Sequence, residues 1–167
     1  MDEATGSGTF AEQDQLLSLI EAATEYAICM LDPSGVVTNW TPGAHQLQGY
    51  STAEMVGHHF SRLYTEDDQK AGLPARALEI ARADGKFENE AWQIRKNGSR
   101  FCAKVVINAV RDKSGLVVGF ANITSDLTER KEAQQKLEET REALLQSQKL
   151  EAIGQLTGGM PTTSTIC

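Results

Sequence analysis

Tyr26-Ala-Ile-Cys-Met-Leu31, Asp32-Pro-Ser-Gly35 and Val36-Val-Thr-Asn-Trp40 follow one another without interruption, and their order decides the fold. The first segment is a short apolar run. The second carries turn chemistry, because Pro presets φ at the second corner position and Gly closes the corner. The third is again strand-like. Together they predict two strands joined by a hairpin.

Upstream, Leu16, Leu17, Leu19, Ile20 and Ala23 fall at helical spacing, so residues 11–25 are expected as an amphipathic helix behind a flexible leader, residues 1–10. Downstream, residues 42–84 contain helix starts. Ser51-Thr-Ala-Glu54 has the form of a capping box, and Thr65-Glu-Asp-Asp68 opens a helix with acids in its first turn. That helix points Leu73, Ala77, Leu78, Ile80 and Ala81 inward and stops at Asp84-Gly85; Pro74 falls inside it, a residue that can split it. Strand character then returns. Lys96-Asn-Gly-Ser99 and Asp112-Lys-Ser-Gly115 are turns between the runs Phe87–Arg95, Arg100–Val110 and Leu116–Thr124. Two strands, a helical insert and three strands make a five-stranded antiparallel sheet, an α+β domain over residues 26–126.

From Asp126 to Leu156 the chain has no Pro and is dense in Glu, Lys, Gln, Ala and Leu. Ala133, Leu137, Thr140 and Leu144 follow the spacing of a coiled-coil seam, so residues 127–157 are expected to pair in a parallel homodimer. Leu145, Ala152 and Leu156 fall in another phase, as at a stutter. A solvated single helix is the alternative.

Composition bounds the function. A net charge of -7 argues against a phosphate-backbone binder, so no nucleic-acid partner is expected. Hydrophobic residues at 40% suffice for a packed core. No apolar run approaches the roughly 18 residues of a membrane span, and the polar N-terminus lacks a secretory h-region, which predicts a cytoplasmic chain. Cys29, Cys102 and Cys167 lie far apart, form no metal-type pair and are expected as reduced thiols. No metal site and no catalytic residue is expected.

Several segments resemble one family. Met30-Leu-Asp-Pro-Ser-Gly35, Asn39-Trp-Thr-Pro-Gly-Ala44, Gly49-Tyr-Ser51, Arg95-Lys-Asn-Gly-Ser-Arg-Phe101 and Ser125-Asp-Leu-Thr-Glu-Arg130 are similar, in order and separation, to the PAS sensor domains of bacterial sensor histidine kinases. The likeness covers about residues 16–130 and implies the PAS fold. It also implies a signal-transfer joint at Asp126, Leu127, Thr128, Glu129 and Arg130, where sheet movement reaches the output helix. Asp126 is equally suited to cap that helix.

The resemblance places ligands between the helical insert and the sheet. Trp40, Tyr50, His59, Phe60, Tyr64, Trp92 and Thr124 are the pocket candidates it implies, with a small molecule as the possible ligand. In flavin photosensors of the LOV branch the reactive cysteine aligns with Phe60 and the flavin-facing glutamine with Thr124, which argues against adduct chemistry. Haem-binding relatives use a histidine on the long insert helix, near Gly72-Leu73, and no His lies there. His45, His58 and His59 precede it and suit surface or capping roles. Non-covalent flavin stays open, so the cofactor is unknown. Cys29 and Cys102 read as small buried hydrophobes.

Ser147-Gln-Lys-Leu-Glu-Ala-Ile-Gly-Gln-Leu-Thr-Gly-Gly159 resembles the start of the dimerisation and phosphoacceptor helix of histidine kinases. The family continues with Ala-His-Asp-Phe-Asn-Asn-Leu, whereas this chain reads Met160-Pro-Thr-Thr-Ser-Thr-Ile-Cys167. Those last seven residues can be encoded as CCC ACG ACT TCA ACA ATC TGC. One G after the Met160 codon turns the same bases into the family motif, so a single-base deletion is the expected origin of residues 161–167, within a non-native-like tail at 158–167; an unrelated tail is the alternative. A signal-input module that feeds a histidine kinase, without kinase activity of its own, is the resulting expectation. Rival readings are a flavin- or haem-bearing sensor and a purely structural dimerisation module.

Overall fold

A computed structural model describes residues 7–153. The chain divides into two compact units after Asp126. In the first, α1 (Ser7–Ala22) precedes β1 (Tyr26–Leu31), β2 (Val37–Trp40), α2 (Pro42–Gln48), α3 (Thr52–Met55), a 3₁₀ turn (Phe60–Leu63), α4 (Glu66–Lys70), α5 (Leu73–Asp84), β3 (Lys86–Ile94), β4 (Arg100–Arg111) and β5 (Val117–Asp126). The second contains α6 (Thr128–Ile153).

All five strands pair antiparallel, in the order β2-β1-β5-β4-β3. The first and last strands are neighbours, with Tyr26 opposite Ser125. Three turns share one device. Asp32 Oδ1 accepts from the Ser34 N–H and hydroxyl, Asp112 Oδ1 from those of Ser114, and Asn97 Oδ1 from those of Ser99. Each side chain closes its own corner and leads into a Gly with positive φ or follows one.

The helical insert packs on one face of the sheet. Phe60, Met55, Leu63, Ala77, Leu78 and Ala81 are buried there against Leu31, Val105, Ile107 and Phe120. The expected long helix is broken: Ala71 ends α4, Gly72 turns left-handed at φ +74°, and α5 restarts with Pro74 in its first turn. The capping box forms as the sequence implies, with Ser51 Oγ accepting from the Glu54 N–H and Glu54 Oε2 from the Ser51 N–H. Close approach fixes Gly43, since a Cβ there would stand 2.2 Å from the Tyr26 carbonyl oxygen.

Two expectations change. α1 begins at Ser7, inside the stretch read as a leader, and Leu16, Leu17 and Leu19 are exposed rather than buried. Cys102 is disulfide-bonded, so among the described residues only Cys29 is a free thiol. Residues 1–6 of the expected leader and 154–167, on which the end of the expected coiled coil and the tail read as frameshifted fall, lie outside the described residues.

Candidate functional site

Strand alternation sorts the sheet into an inner face, towards the helices, and an outer one. Register places Ala27, Cys29 and Leu31 of β1 opposite Thr124, Asn122 and Phe120 of β5, and all six are buried on the inner face. Ala103, Val105 and Ile107 of β4 continue that face, and Gln93 of β3 lies on it beside Phe101.

This apolar surface carries unexpected polarity. Gln48 and Gln93 are wholly buried, and Gln48 Nε2 donates to Gln93 Oε1 at 2.9 Å. Asn122 Nδ2 stands 3.5 Å from Cys29 Sγ. Gln48 Oε1, Gln93 Nε2, Asn122 Oδ1 and Thr124 Oγ1 have no partner. Burial pushes the Cys29 thiol up to about 12, and burial likewise raises the Tyr64 phenol, so both stay protonated at neutral pH.

The pocket candidates divide. Phe60, Tyr64 and Thr124 are each buried, and the Phe60 and Tyr64 rings meet edge to face at 5.7 Å. Trp40 is buried, and its indole N–H donates to the Tyr50 carbonyl at 2.8 Å. Tyr50 is half-buried under the Arg62 guanidinium. His59 is exposed and caps the 3₁₀ turn: its Nδ1 accepts from the Ser61 N–H at 3.2 Å, and Nε2 lies 3.0 Å from the Ser34 carbonyl. Trp92 is 39% exposed and pairs with Cys102, so it faces away from the helices while its neighbour Gln93 faces in.

A second constellation lies where β3 and β5 end. Arg95 Nη2 reaches Asp126 Oδ2 at 2.6 Å, Nη1 donates to the Leu47 carbonyl at 2.7 Å, and the guanidinium stacks 4.1 Å over the Phe101 ring. Beside it the Lys96 N–H donates to the Gln48 carbonyl, and Lys96 Nζ pairs with Glu54 Oε1. One loop thus holds the end of α2, the cap of α3 and the last residue of β5.

Sequence reasoning passed over Asn122, Gln48, Gln93 and the role of Arg95. Asn122 was within reach: with Phe120 and Thr124 it forms an i, i+2, i+4 set, and an amide in an inward strand position is itself a signal. In the second unit, Ala133, Leu137, Thr140 and Leu144 follow one another along α6. Leu137 and Leu144 are 71% and 60% exposed, and the Thr140 hydroxyl donates back to the Lys136 carbonyl. Of the joint, Asp126 closes β5, and Leu127 accepts from the Lys131 N–H as Thr128, Glu129 and Arg130 open α6.

Among the described residues no group of His, Cys, Asp and Glu is arranged to hold a metal, and no helix is long and apolar enough to cross a membrane.

A family model for the PAS domain matches residues 25–129, and the chain belongs to that family. It is 47% identical over 116 residues to Two-component system protein A of Emericella nidulans, covering 70% of this chain and 17% of that protein. Sporulation kinase C of Bacillus subtilis is 28% identical over 127 residues, covering 75% and 29%. The chain therefore spans less than a third of either relative. The PAS domain of a Colwellia psychrerythraea protein superposes with a TM-score of 0.66 at 20% identity, over 71% of this chain and 98% of that one. The five-stranded sheet with its helical insert is thus a PAS fold, of the kind found in two-component signalling proteins.

Proposed function

We propose that this chain is a signal-input module that biases a histidine-kinase output through paired α6 helices. The carrying observation is the Arg95 bridge. One guanidinium holds both the Leu47 carbonyl, at the end of a helix packed on the sheet, and Asp126, the residue before the chain leaves the domain. A change on the inner face that moves α2 must stretch one of these bonds. The joint Asp126–Arg130 then passes the change to α6. Such a relay is a population shift between two packings of the exit, biased by whatever contacts one packing better.

The apolar stripe of α6 supports pairing with a second copy, since a lone helix gains nothing from exposed leucines at this spacing. The kinase relatives supply the context of the output. The segment itself acts as a sensor rather than as a catalyst, in the cytoplasm with the kinase it serves. Adduct photochemistry does not suit it, because Phe60, at the position of the reactive cysteine, is a buried carbon ring.

Light scattering at micromolar concentration tests the pairing. The full chain should give a dimer mass, and a chain ending at Leu127 a lower one; equal masses would remove α6 as the seam. Hydrogen exchange tests the relay. Arg95→Met should speed exchange at residues 127–131 while β4 stays protected, and unchanged exchange there would sink the bridge as coupler.

A further inference from the structure

Asn97-Gly98, at the corner between β3 and β4, is the one Asn-Gly step in the chain. Asn39, Asn89, Asn108 and Asn122 precede Trp40, Glu90, Ala109 and Ile123. Such a step is chemically labile. The backbone nitrogen after an asparagine can close a five-membered ring on the side-chain carbon, and in glycine no Cβ shields that nitrogen. Here Gly98 N would lose its proton and bond to Asn97 Cγ, the Cγ–Nδ2 bond would break, and ammonia would leave with that proton. Water then opens the cyclic imide at either carbonyl, giving aspartate or isoaspartate. Asn97, Gly98 and Ser99 are exposed, and a Cβ on Gly98 would meet nothing within 4 Å, so water has access.

The closed turn restrains both partners of that reaction. The Gly98 N–H donates to the Arg95 carbonyl at 2.9 Å, which occupies the proton the nucleophile must shed. The Arg95 N–H donates to the Ser99 carbonyl at 2.9 Å, and Gly98 is fixed at φ +85° between them. On the side chain, Asn97 Oδ1 accepts from the Ser99 N–H at 2.9 Å and the Ser99 hydroxyl at 2.7 Å. Those two bonds hold Cγ against the rotation that attack requires. The products differ in fit. Asp32 and Asp112 make the same two bonds, to Ser34 and Ser114, with a carboxylate in place of the amide. The serine hydroxyls hold both carboxyls below the ordinary value. An aspartyl product therefore suits the turn, which Arg95, Lys96 and Arg100 flank with positive charge. Isoaspartate adds a methylene to the backbone between Arg95 and Phe101, whose guanidinium and ring stack at 4.1 Å.

We propose that Asn97 is a gated self-modification site, silent while the β3–β4 turn is closed and converted to aspartate and isoaspartate once it opens. The gate is the Ser99 hold on the amide, together with the bond from Gly98 to the Arg95 carbonyl. Arg95 begins this turn and also grips Leu47 and Asp126, so isoaspartate would lie in the loop that ties α2 to the end of β5. The reaction needs water alone, and it stands apart from the signal-input reading.

Peptide mapping by mass spectrometry tests the gate, reading the amide-to-acid mass change at Asn97 in the full chain aged in neutral buffer. The folded parent should convert at least about tenfold more slowly than the same chain unfolded in urea, since only the open fraction reacts. Ser99→Ala, which removes one of the two holds on Oδ1, should speed the folded reaction about fivefold and leave the urea rate alone. Ser99→Thr, which keeps a hydroxyl, should retain the protection. Conversion of Asn108, within β4, should stay at the parent's level in every folded sample. A folded parent that reacts at its unfolded rate would overturn the proposal, and so would a Ser99→Ala rate equal to the parent's. A rise at Asn108 in step with Asn97 would trace the reaction to global unfolding and remove the gate. Asn97→Asp should keep the parent's urea midpoint; a lower one would overturn the fit of the aspartyl product.

Discussion

Arg95 ties the end of α2, the end of β5 and the Phe101 ring together through one guanidinium. Its side chain is a quarter exposed, enough shielding for its charge-assisted bonds to count. Arg95→Met removes the ion pair to Asp126 and the hydrogen bond to the Leu47 carbonyl together, and urea unfolding should show a loss of about 1–3 kcal/mol. Arg95→Lys, with one compact donor group in place of a fork, should fall between. Glu54 makes a different prediction, in pH. The Lys96 ammonium beside it, helped by the Ser51 N–H, lowers its carboxyl from 4.5 to about 2. A depressed folded-state value contributes stability that is complete above pH 4.5 and disappears as the pH falls towards 2. Melting temperatures of the parent and Glu54→Gln, followed from pH 6 to 2, should therefore converge at the acid end. Parallel curves would mean that the pair contributes nothing.

At the scale of elements, the turns and strands were legible because each is written locally. Asp-Pro-Ser-Gly, Asn-Gly-Ser and Asp-Lys-Ser-Gly each close their corner through a side-chain acceptor within the turn itself. The face of a strand is another matter. In Glu90-Ala-Trp-Gln93 the indole reads as the inward group, yet register against β4 turns Trp92 out and Gln93 in. A one-residue shift of parity reverses every such assignment, and register is set by partners that a single strand does not name. The same limit hid the Gln48–Gln93 pair, which joins positions 45 residues apart. α2 carries a prediction of its own. Gly43→Ala drives a methyl into the Tyr26 carbonyl, and the helix must lift from β1 to make room. A loss of about 1–3 kcal/mol in urea unfolding is expected; a neutral effect would show that the start of β1 yields easily.

For the whole molecule, the strand order matters more than any one contact. Because β1 and β5 are adjacent and antiparallel, the chain arrives at Tyr26 and departs after Ser125 from the same end of the same strand pair. Neighbouring strands are only about 4.8 Å apart. That placement has a mechanical corollary. Tension applied across residues 26 and 125 pulls the pair open from its end, loading the rungs one after another as in a zip, instead of shearing them all at once. The sheet should yield stepwise at low force from that end and resist far better when gripped at opposite ends of β4.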